Sequence, residues 1–238
     1  MNESITPIVL SGAAEMGIEL PPTAAATFEA YYTLLEHRGR SVNLTAIRGA
    51  ADVATLHFLD SIALLKAALF SQARVIDIGS GAGFPGVPLK IAEPSISLTI
   101  LDSATKRVTF LTELCALLGI EAVFIHARAE VAAHTQDIRE SYDIAVSRGV
   151  ARLNVLCELC LPFVCVGGSF IAMKGAASAD EISEARNAIE TLGAQHIGVF
   201  DYTLPDTDIA HTAVLLEKAS KTPDKYPRRY ARILSAPL

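Results

Sequence analysis

The sequence predicts an α/β protein with a mainly parallel, doubly wound sheet, preceded by a helical segment. From residue 73 onward, short apolar and β-branched runs alternate with amphipathic stretches, and strands that alternate with helices form parallel sheets covered on both faces. Before that point, apolar residues recur at three- and four-residue spacing, which is typical of helices. A length of 238 residues with 51% apolar content is sufficient for a large core.

The helical segment comes first along the chain. The spacing of its apolar residues predicts three helices, over Thr6 to Met16, Pro22 to Glu36 and Ala51 to Leu69. Pro21-Pro22 and the stretch Gly39 to Asn43 are expected to interrupt them, because Pro and Gly disfavour helix interiors. We therefore expect an N-terminal helical extension over residues 1–69 and a second domain over residues 70–238.

Seven short runs in the second domain have the pattern of strands. They are Ala73 to Ile78, Ser97 to Leu101, Ala122 to His126, Tyr142 to Ser147, Ser169 to Lys174, Gln195 to Phe200 and Thr212 to Leu216. Helical stretches, including Lys106 to Leu118 and Ala179 to Leu192, fall between several of them. In doubly wound sheets the ligand binds outside the carboxyl ends of the strands, where the strand order reverses. The functional site is therefore expected there.

Composition and charge argue against several classes of protein. Lys and Arg number 20 and Asp and Glu 26, so the net charge of −6 argues against indiscriminate nucleic-acid binding, although it permits a local basic patch. Four cysteines are too few for a disulfide scaffold. No apolar run approaches the roughly 18 to 20 residues that span a bilayer, and the N-terminus lacks the basic region of a signal peptide. We expect a cytoplasmic protein without a membrane partner.

A glycine-rich turn follows the first strand, in the run Asp77 to Gly86. Its glycines allow the backbone to approach a ligand, and the following helix offers free N–H groups. A dinucleotide fingerprint in the frame of Gly79 and Gly81 would need a third glycine where Phe84 stands, and the other frame begins two residues late. Asp77 would repel a pyrophosphate but attract a cationic ligand with an amino group. S-adenosylmethionine is such a ligand.

An acid stands at the end of the second strand, in Leu101-Asp102-Ser103. An acid in this position accepts the hydroxyls of a ribose, in dinucleotide-binding and methyl-donor folds alike. The alternative is that Asp102 caps the helix that contains Lys106. We favour the ribose role, because the acid follows a glycine-rich turn at the expected interval.

The chain resembles the bacterial RsmG (GidB) family in motifs that occur in the same order. They are Asn43-Leu44-Thr45, His57 with Asp60-Ser61, Ile76 to Pro88, Leu101-Asp102-Ser103 with Lys106-Arg107, Arg128-Ala129-Glu130, Ser147-Arg148, Lys174-Gly175 and Lys225-Tyr-Pro-Arg-Arg229. Members of this family are S-adenosylmethionine-dependent methyltransferases that modify N7 of a guanine in the 530 loop of 16S rRNA. The resemblance implies a class I (Rossmann-like) methyltransferase fold, with S-adenosylmethionine as cofactor and 16S rRNA or a small-subunit ribosomal particle as partner.

The resemblance also implies roles for individual residues. Contacts to the methyl donor are expected from Gly79, Phe84, Asp102, Ser103, Ala104, Ala129, Glu130 and Arg148, in addition to Asp77 and Gly81 of the loop. Three basic residues are expected to position reacting groups, namely Arg128, Arg148 and Lys174. The tail after Arg229 is less basic and less glycine-rich than is usual in the family.

Other methyl-transfer chemistries leave signatures that this chain lacks. The Asn/Asp-Pro-Pro-aromatic motif of amino-group methylation is absent after the fourth strand, where the chain reads Ser147-Arg148-Gly149. Methylation of a ring carbon needs a cysteine nucleophile, but Cys157 and Cys160 share one face of an apolar helix and are expected in the core. With Cys165 they lack a fourth ligand for zinc, so no metal is expected. Guanine N7 carries a lone pair and no proton, so its methylation needs alignment and no general base.

Basic residues concentrate near the C-terminus. Residues 218–232 contain six of them, Lys218, Lys221, Lys225, Arg228, Arg229 and Arg232, with Tyr226 and Tyr230 between them. Such a strip suits phosphate contacts and base stacking, and we select Lys225, Arg228 and Arg229 as RNA contacts. A solvated tail is the alternative. His57 and Asp60 are interpreted as structural or RNA-positioning residues.

An NAD-dependent oxidoreductase and a non-catalytic ribosome-associated module also remain open. We expect a monomer.

Overall fold

The computed structural model describes residues 4–42, 44–175 and 179–238. Seven strands of the described residues form one sheet: β1 (Arg74–Ile78), β2 (Ser97–Asp102), β3 (Ala122–His126), β4 (Tyr142–Arg148), β5 (Val164–Gly175), β6 (Ala194–Thr203) and β7 (Ala210–Lys218). Their order is β3-β2-β1-β4-β5-β7-β6. All pairings among β1 to β5 are parallel, whereas β7 is antiparallel to β5 and β6. The predicted mainly parallel, seven-stranded sheet is confirmed.

Helices cover both faces of this sheet. In the described residues they are α1 (Thr6–Glu15), α2 (Ala24–Val42), α3 (Ala50–Val53), α4 (Asp60–Ile62), α5 (Gly86–Ala92), α6 (Thr105–Leu118), α7 (Ala129–Ala132), α8 (Leu153–Cys160), α9 (Ala179–Thr191) and α10 (Tyr230–Ser235). A π-helical turn, Ala54–Leu59, joins α3 to α4. None of these helices has the length and apolar character needed to cross a membrane.

The strand order reverses between β1 and β4. The chain passes outward from β1 through β2 to β3, and then returns to place β4 on the other side of β1. The Ser147 hydroxyl at the end of β4 donates to the Ile78 carbonyl at the end of β1 (2.9 Å). The carboxyl ends of β1 and β4 therefore form the switch point at which ligands of doubly wound sheets bind.

The N-terminal helices share a core with the sheet. Phe28 and Tyr31 of α2 and Phe58 of the π-helical turn are fully buried in one apolar cluster with Val75 and Leu98 of the sheet. A second cluster fills the opposite face, where α7, α8 and α9 pack. The predicted boundary at residue 69 separates helices from strands in sequence, but the apolar core crosses it without interruption.

The predicted helix break at Gly39 to Asn43 was wrong for the residues that are described. Helix α2 continues through Gly39 to Val42. A single glycine costs a helix only about 1 kcal/mol, so it does not by itself end one. Asn43 itself lies outside the described residues.

Buried ion pairs hold the C-terminal segment against the sheet. Lys218 is fully buried, and its Nζ donates to Glu140 Oε1 (3.0 Å), to the Leu161 carbonyl (3.0 Å) and to the Thr222 hydroxyl (2.8 Å). The expectation that Lys218 belongs to an exposed basic strip was wrong. Its ammonium group stabilises the turn that leads into the tail.

The guanidinium group of Arg228 also forms an ion pair within the protein. It donates through Nε to Glu158 Oε1 (2.8 Å) and through Nη2 to Oε2 (2.6 Å), and the Arg228 backbone N–H adds a third bond (2.7 Å). Glu158, on α8, is fully buried. Because this guanidinium is paired with the Glu158 carboxylate, the structure does not support the expectation that Arg228 contacts phosphate.

We predict that Arg228→Ala lowers the free energy of unfolding by about 2–4 kcal/mol, because it leaves a buried carboxylate without its partner. Urea denaturation followed by circular dichroism measures the change. Arg229→Ala is the matched control, since Arg229 is exposed and its loss should cost less than about 0.5 kcal/mol. Equal effects of the two substitutions would contradict the structural role of Arg228.

Candidate active site

A cavity of about 480 Å³ opens at the switch point, within the range of ligand-binding cavities. It lies where the carboxyl ends of β1, β2 and β4 meet. Its lining includes the predicted residues Gly79, Gly81, Phe84, Asp102, Ser103, Arg128, Ala129, Glu130 and Arg148. It also includes residues that were not selected as site residues from the sequence, among them Leu44, Thr45, His57 and Tyr230.

The glycine-rich turn forms the floor of this cavity. Gly79 has φ +72°, and a Cβ placed on it would come within 2.6 Å of Val150 Cγ2. Gly81 also has a positive φ (+62°), which a residue with a side chain adopts only at a cost. The Gly79 N–H donates to the Leu101 carbonyl (2.8 Å). Glycine is therefore needed here both for backbone conformation and for space.

Asp77 supports the turn from below and does not line the cavity among the described residues. Its Oδ2 accepts from the Ser80 hydroxyl (2.6 Å) and the Gly86 N–H (2.8 Å). Complete burial raises its pKa to about 6, although these two hydrogen bonds act in the opposite direction. Oδ1 is buried and has no hydrogen-bond partner among the described residues. The expected direct attraction of a cation is thus replaced by a buried acceptor beneath the turn.

Asp102 makes the local hydrogen bond expected of the capping alternative, and its ribose role stays a prediction. Its Oδ1 accepts from the Ala104 N–H (2.9 Å) at the start of α6, as in the capping interpretation, and its Oδ2 accepts from the Gly81 N–H (3.0 Å). It is almost fully buried yet lines the cavity beside Ser103. Ala104 is not among the lining residues, so the structure gives no support to its expected ligand contact.

The far end of the cavity lies beyond β3. Ala129 and Glu130 begin α7 there, and the exposed Arg128 lies 3.9 Å from Glu130 Oε1. The Arg128 guanidinium also lies 5.4 Å from the ring centroid of Tyr230. Tyr230 reaches the cavity because Arg228, two residues earlier, is fixed to Glu158. The sequence placed Tyr230 only in the C-terminal basic strip, because its position in the cavity depends on how the tail is held.

Arg148 is fixed by a network at the β4 side of the cavity. Its Nη1 donates to Asp60 Oδ2 (2.9 Å) and to the Leu56 carbonyl (3.1 Å), and its Nη2 lies 2.8 Å from His57 Nδ1. Its guanidinium also lies 4.8 Å from the centroid of the Phe84 ring. The donors that face Asp60, Leu56 and His57 are occupied, and Arg148 also lines the cavity.

Aromatic rings stack beside this network. The Phe84 ring stacks on His57 (centroids 4.3 Å apart) and on Tyr31 (5.4 Å). The Tyr31 hydroxyl donates to the Ala82 carbonyl (2.6 Å), which ties the N-terminal helices to the glycine-rich turn. Phe84, which stands where one frame of the dinucleotide fingerprint needs a glycine, therefore holds the turn against the helical extension.

Asp60 is the centre of the network. It accepts from the Tyr202 hydroxyl (2.7 Å), and its Oδ1 lies 2.7 Å from His211 Nδ1. Burial raises the pKa of Asp60, but the hydrogen bond from His211 and the charge of Arg148 lower it by more. The same hydrogen bond raises the pKa of His211. The structural interpretation of Asp60 agrees with these contacts.

Lys174 lies outside the main cavity. Its Nζ donates to Glu181 Oε2 (2.8 Å) and to the Ala151 carbonyl (2.7 Å). It borders an adjoining cavity of about 220 Å³, together with Arg148 and His211. The structure thus places Lys174 near Arg148, as expected, but its charge is paired and it does not reach the cavity that the glycine-rich turn forms.

The cysteines and the basic strip have separate places in the fold. Cys157 and Cys160 are fully buried, which confirms their assignment to the core. Among the described residues, no cluster of His, Cys, Asp and Glu could hold a metal ion. Of the selected RNA contacts, Lys225 and Arg229 are exposed and remain candidates after Arg228 is excluded.

The family model for rRNA small subunit methyltransferase G (GidB) matches residues 24–208. The chain belongs to this family. It is 44% identical over 233 residues to a protein named ribosomal RNA small subunit methyltransferase G from Alkaliphilus oremlandii, covering 97% of this chain and 98% of the relative. A Caldanaerobacter subterraneus relative of the same name is 41% identical, and both chains are fully covered. The protein is accordingly a methyltransferase with S-adenosylmethionine as cofactor.

Solved structures show the same fold at low sequence identity. A putative O-methyltransferase from Klebsiella pneumoniae superposes with a TM-score of 0.55 at 17% identity, covering 80% of this chain and 90% of that chain. M. jannaschii TYW2, solved in complex with AdoMet, gives a TM-score of 0.52 at 14% identity, with 67% and 76% covered. The class I methyltransferase fold is therefore confirmed.

The residues of the site fit this cofactor. A Cβ at Gly79 would meet Val150 Cγ2 at 2.6 Å, so the glycine keeps the floor of the cavity open to close approach by a ligand. Asp102 and Ser103 offer oxygen atoms suited to a ribose, and Ala129 and Glu130 border the end of the cavity beyond them. When bound, S-adenosylmethionine supplies an electrophilic methyl group on a sulfonium centre.

We predict that Asp102→Ala weakens the binding of S-adenosylhomocysteine by about 1.5–3 kcal/mol, the scale of hydrogen bonds to a charged group. Isothermal titration calorimetry measures the loss. Asp143→Ala is the control, because Asp143 pairs with Arg74 at the start of β4 (2.7 Å), away from the carboxyl ends of the strands. If Asp102→Ala binds as tightly as the wild type, Asp102 has only its capping role.

Proposed function

We propose that the protein transfers the methyl group of S-adenosylmethionine to N7 of a guanine in the 530 loop of 16S rRNA. The observation that carries this proposal is the match over almost the whole chain to relatives named ribosomal RNA small subunit methyltransferase G. The choice of atom and loop rests on the motif resemblance. The physiological partner in this proposal is a small-subunit ribosomal particle, and the enzyme acts as a cytoplasmic monomer.

The histidine of the cavity is not available as a general base. His57 is its only lining histidine among the described residues, and both ring nitrogens are engaged, with Arg148 and with Thr45. Burial, and then the charge of Arg148, lower the pKa of His57 to about 3. The ring is therefore neutral at physiological pH but lacks a free lone pair to accept a proton. A nucleophile without a proton, such as guanine N7, suits this environment.

The described lining of the cavity also offers no cysteine nucleophile for covalent catalysis. No cysteine is among its described lining residues, and burial raises the pKa of Cys157 above its ordinary value. Methylation of a ring carbon through a cysteine adduct is thus disfavoured. Direct transfer remains, and its rate depends on alignment of the nucleophile with the methyl group.

The residues of the chain supply that alignment in three ways. The glycine-rich turn and Asp102 hold the nucleoside end of the cofactor. The stacked rings of Phe84 and His57 form a rigid wall on the β4 side. Arg148 lines the β4 side of the cavity, and a guanidinium there can stack on a base.

We predict that the enzyme produces one 7-methylguanosine in small subunits isolated from a strain that lacks it. Reduction with borohydride and cleavage with aniline locate the modified nucleotide by primer extension, because the cationic ring weakens its glycosidic bond. Reactions with S-adenosylhomocysteine or NAD in place of the methyl donor are the controls. Methylation at another atom, or in the large subunit, would contradict the proposed substrate.

We further predict that Arg229→Ala lowers the magnitude of the slope of log affinity against log salt by about 0.7–0.9, the contribution of one phosphate contact. Filter binding to small subunits at several salt concentrations measures it. Arg186→Ala is a charge-matched control, because Arg186 is exposed on α9, outside the basic strip. An unchanged slope for Arg229→Ala would leave the tail as a solvated surface.

A further inference from the structure

The hydroxyl group of Thr45 has its hydrogen-bonding direction fixed by its neighbours. Its Oγ1 lies 2.7 Å from His57 Nε2 and accepts from the Ile47 N–H at 3.0 Å. A hydroxyl normally adapts by rotation, since it has one donor and two acceptor positions. Whether the Thr45 hydroxyl can rotate in this way depends on whether His57 Nε2 donates to it or accepts from it.

The tautomer of His57 follows from its contact with Arg148. A guanidinium group can only donate, so the 2.8 Å contact between Arg148 Nη2 and His57 Nδ1 requires an unprotonated Nδ1. The proton of the neutral ring then lies on Nε2. His57 therefore donates to Thr45 and cannot accept from it.

Both lone pairs of Thr45 Oγ1 are consequently occupied, one by His57 and one by Ile47. The remaining hydrogen can only be donated. Among the described residues no acceptor takes it, and Thr45 lines the cavity. The hydrogen of the Thr45 hydroxyl can therefore be donated to an acceptor bound in the cavity.

The place of Thr45 in the cavity identifies the ligand that it faces. Asp102 and Glu130 mark the end near β2 and β3, which suits the nucleoside of the cofactor. Thr45 belongs to the opposite end, with His57, Phe84 and Arg148 on the side of β4. The acceptor base must approach the methyl group from this end.

We propose that Thr45 donates a hydrogen bond to O6 of the target guanine, which deepens and rests on the proposed function. The N7 lone pair has to remain free for attack, and O6 is the neighbouring acceptor on the same edge of the base. Adenine presents an amino group in the place of O6. A hydroxyl that can only donate cannot accept from that group, so the fixed direction selects guanine over adenine.

The test compares Thr45→Val with wild type on two small-subunit particles, one with guanine and one with 2-aminopurine at the target nucleotide. 2-Aminopurine keeps N7 but lacks O6. Single-turnover methyl transfer is measured at saturating S-adenosylmethionine. On guanine, Thr45→Val should be about 5- to 30-fold slower, the effect of one hydrogen bond. On 2-aminopurine the two enzymes should react at the same rate.

Three further measurements separate this role from the alternatives. Thr45→Ser should react with guanine nearly as fast as wild type, because it keeps the hydroxyl. Thr33→Val is the control for the loss of a hydroxyl elsewhere, since the Thr33 hydroxyl donates to the Glu29 carbonyl within α2 (2.9 Å). The affinity for S-adenosylhomocysteine, measured by calorimetry, should be the same for Thr45→Val and wild type.

Several outcomes would overturn the proposal. A similar loss on both RNAs would show that the hydroxyl does not act through O6, and a parallel loss of S-adenosylhomocysteine affinity would assign it to the cofactor. An unchanged rate for Thr45→Val on guanine would remove its role altogether. If wild-type enzyme forms no 7-methylguanosine in either particle, the proposed function fails, a result distinct from any effect of Thr45.

Discussion

The buried pair of Asp60 and Arg148 determines how the helical extension meets the sheet. Asp60 belongs to the extension and Arg148 to the end of β4, and Tyr202 of β6 and His211 of β7 add hydrogen bonds to the same carboxylate. A carboxylate buried with these partners would be costly to leave unpaired. The pair therefore fixes the extension over the carboxyl edge of the sheet, where the cavity forms.

The position of Phe84 and the tautomer of His57 both depend on this pair. With Arg148 held by Asp60, its second guanidinium nitrogen meets His57 Nδ1, and the imidazole stacks on Phe84. Phe84 ends the glycine-rich turn, so the turn is fastened from the side of the helical extension as well as from Asp102. Three segments that are distant in sequence thus set the shape of one cavity.

The sequence could predict those features that depend on local pattern. Each predicted strand overlaps an observed one, because buried strands are apolar runs bounded by turn residues. It could not separate Arg228 from Arg229, since the two differ only in that one of them meets the buried Glu158. Lys218 was misplaced for the same reason. Thr45 was noted as part of a motif, but its significance arises from a hydrogen-bond chain through His57 to Arg148, which sequence spacing does not express.

Charge compensation around the cavity suits the proposed chemistry. In a transfer from a sulfonium to guanine N7, one positive charge leaves sulfur and one arises on the base, so the total charge of the site does not change. An unpaired cation beside N7 would disfavour the positive charge that arises on the base. Arg148 is neutralised by Asp60, and Lys174 by Glu181, so that neither of these two basic residues is an unpaired cation. The carboxylates that fix the fold therefore also make a basic strand edge compatible with a product that is itself a cation.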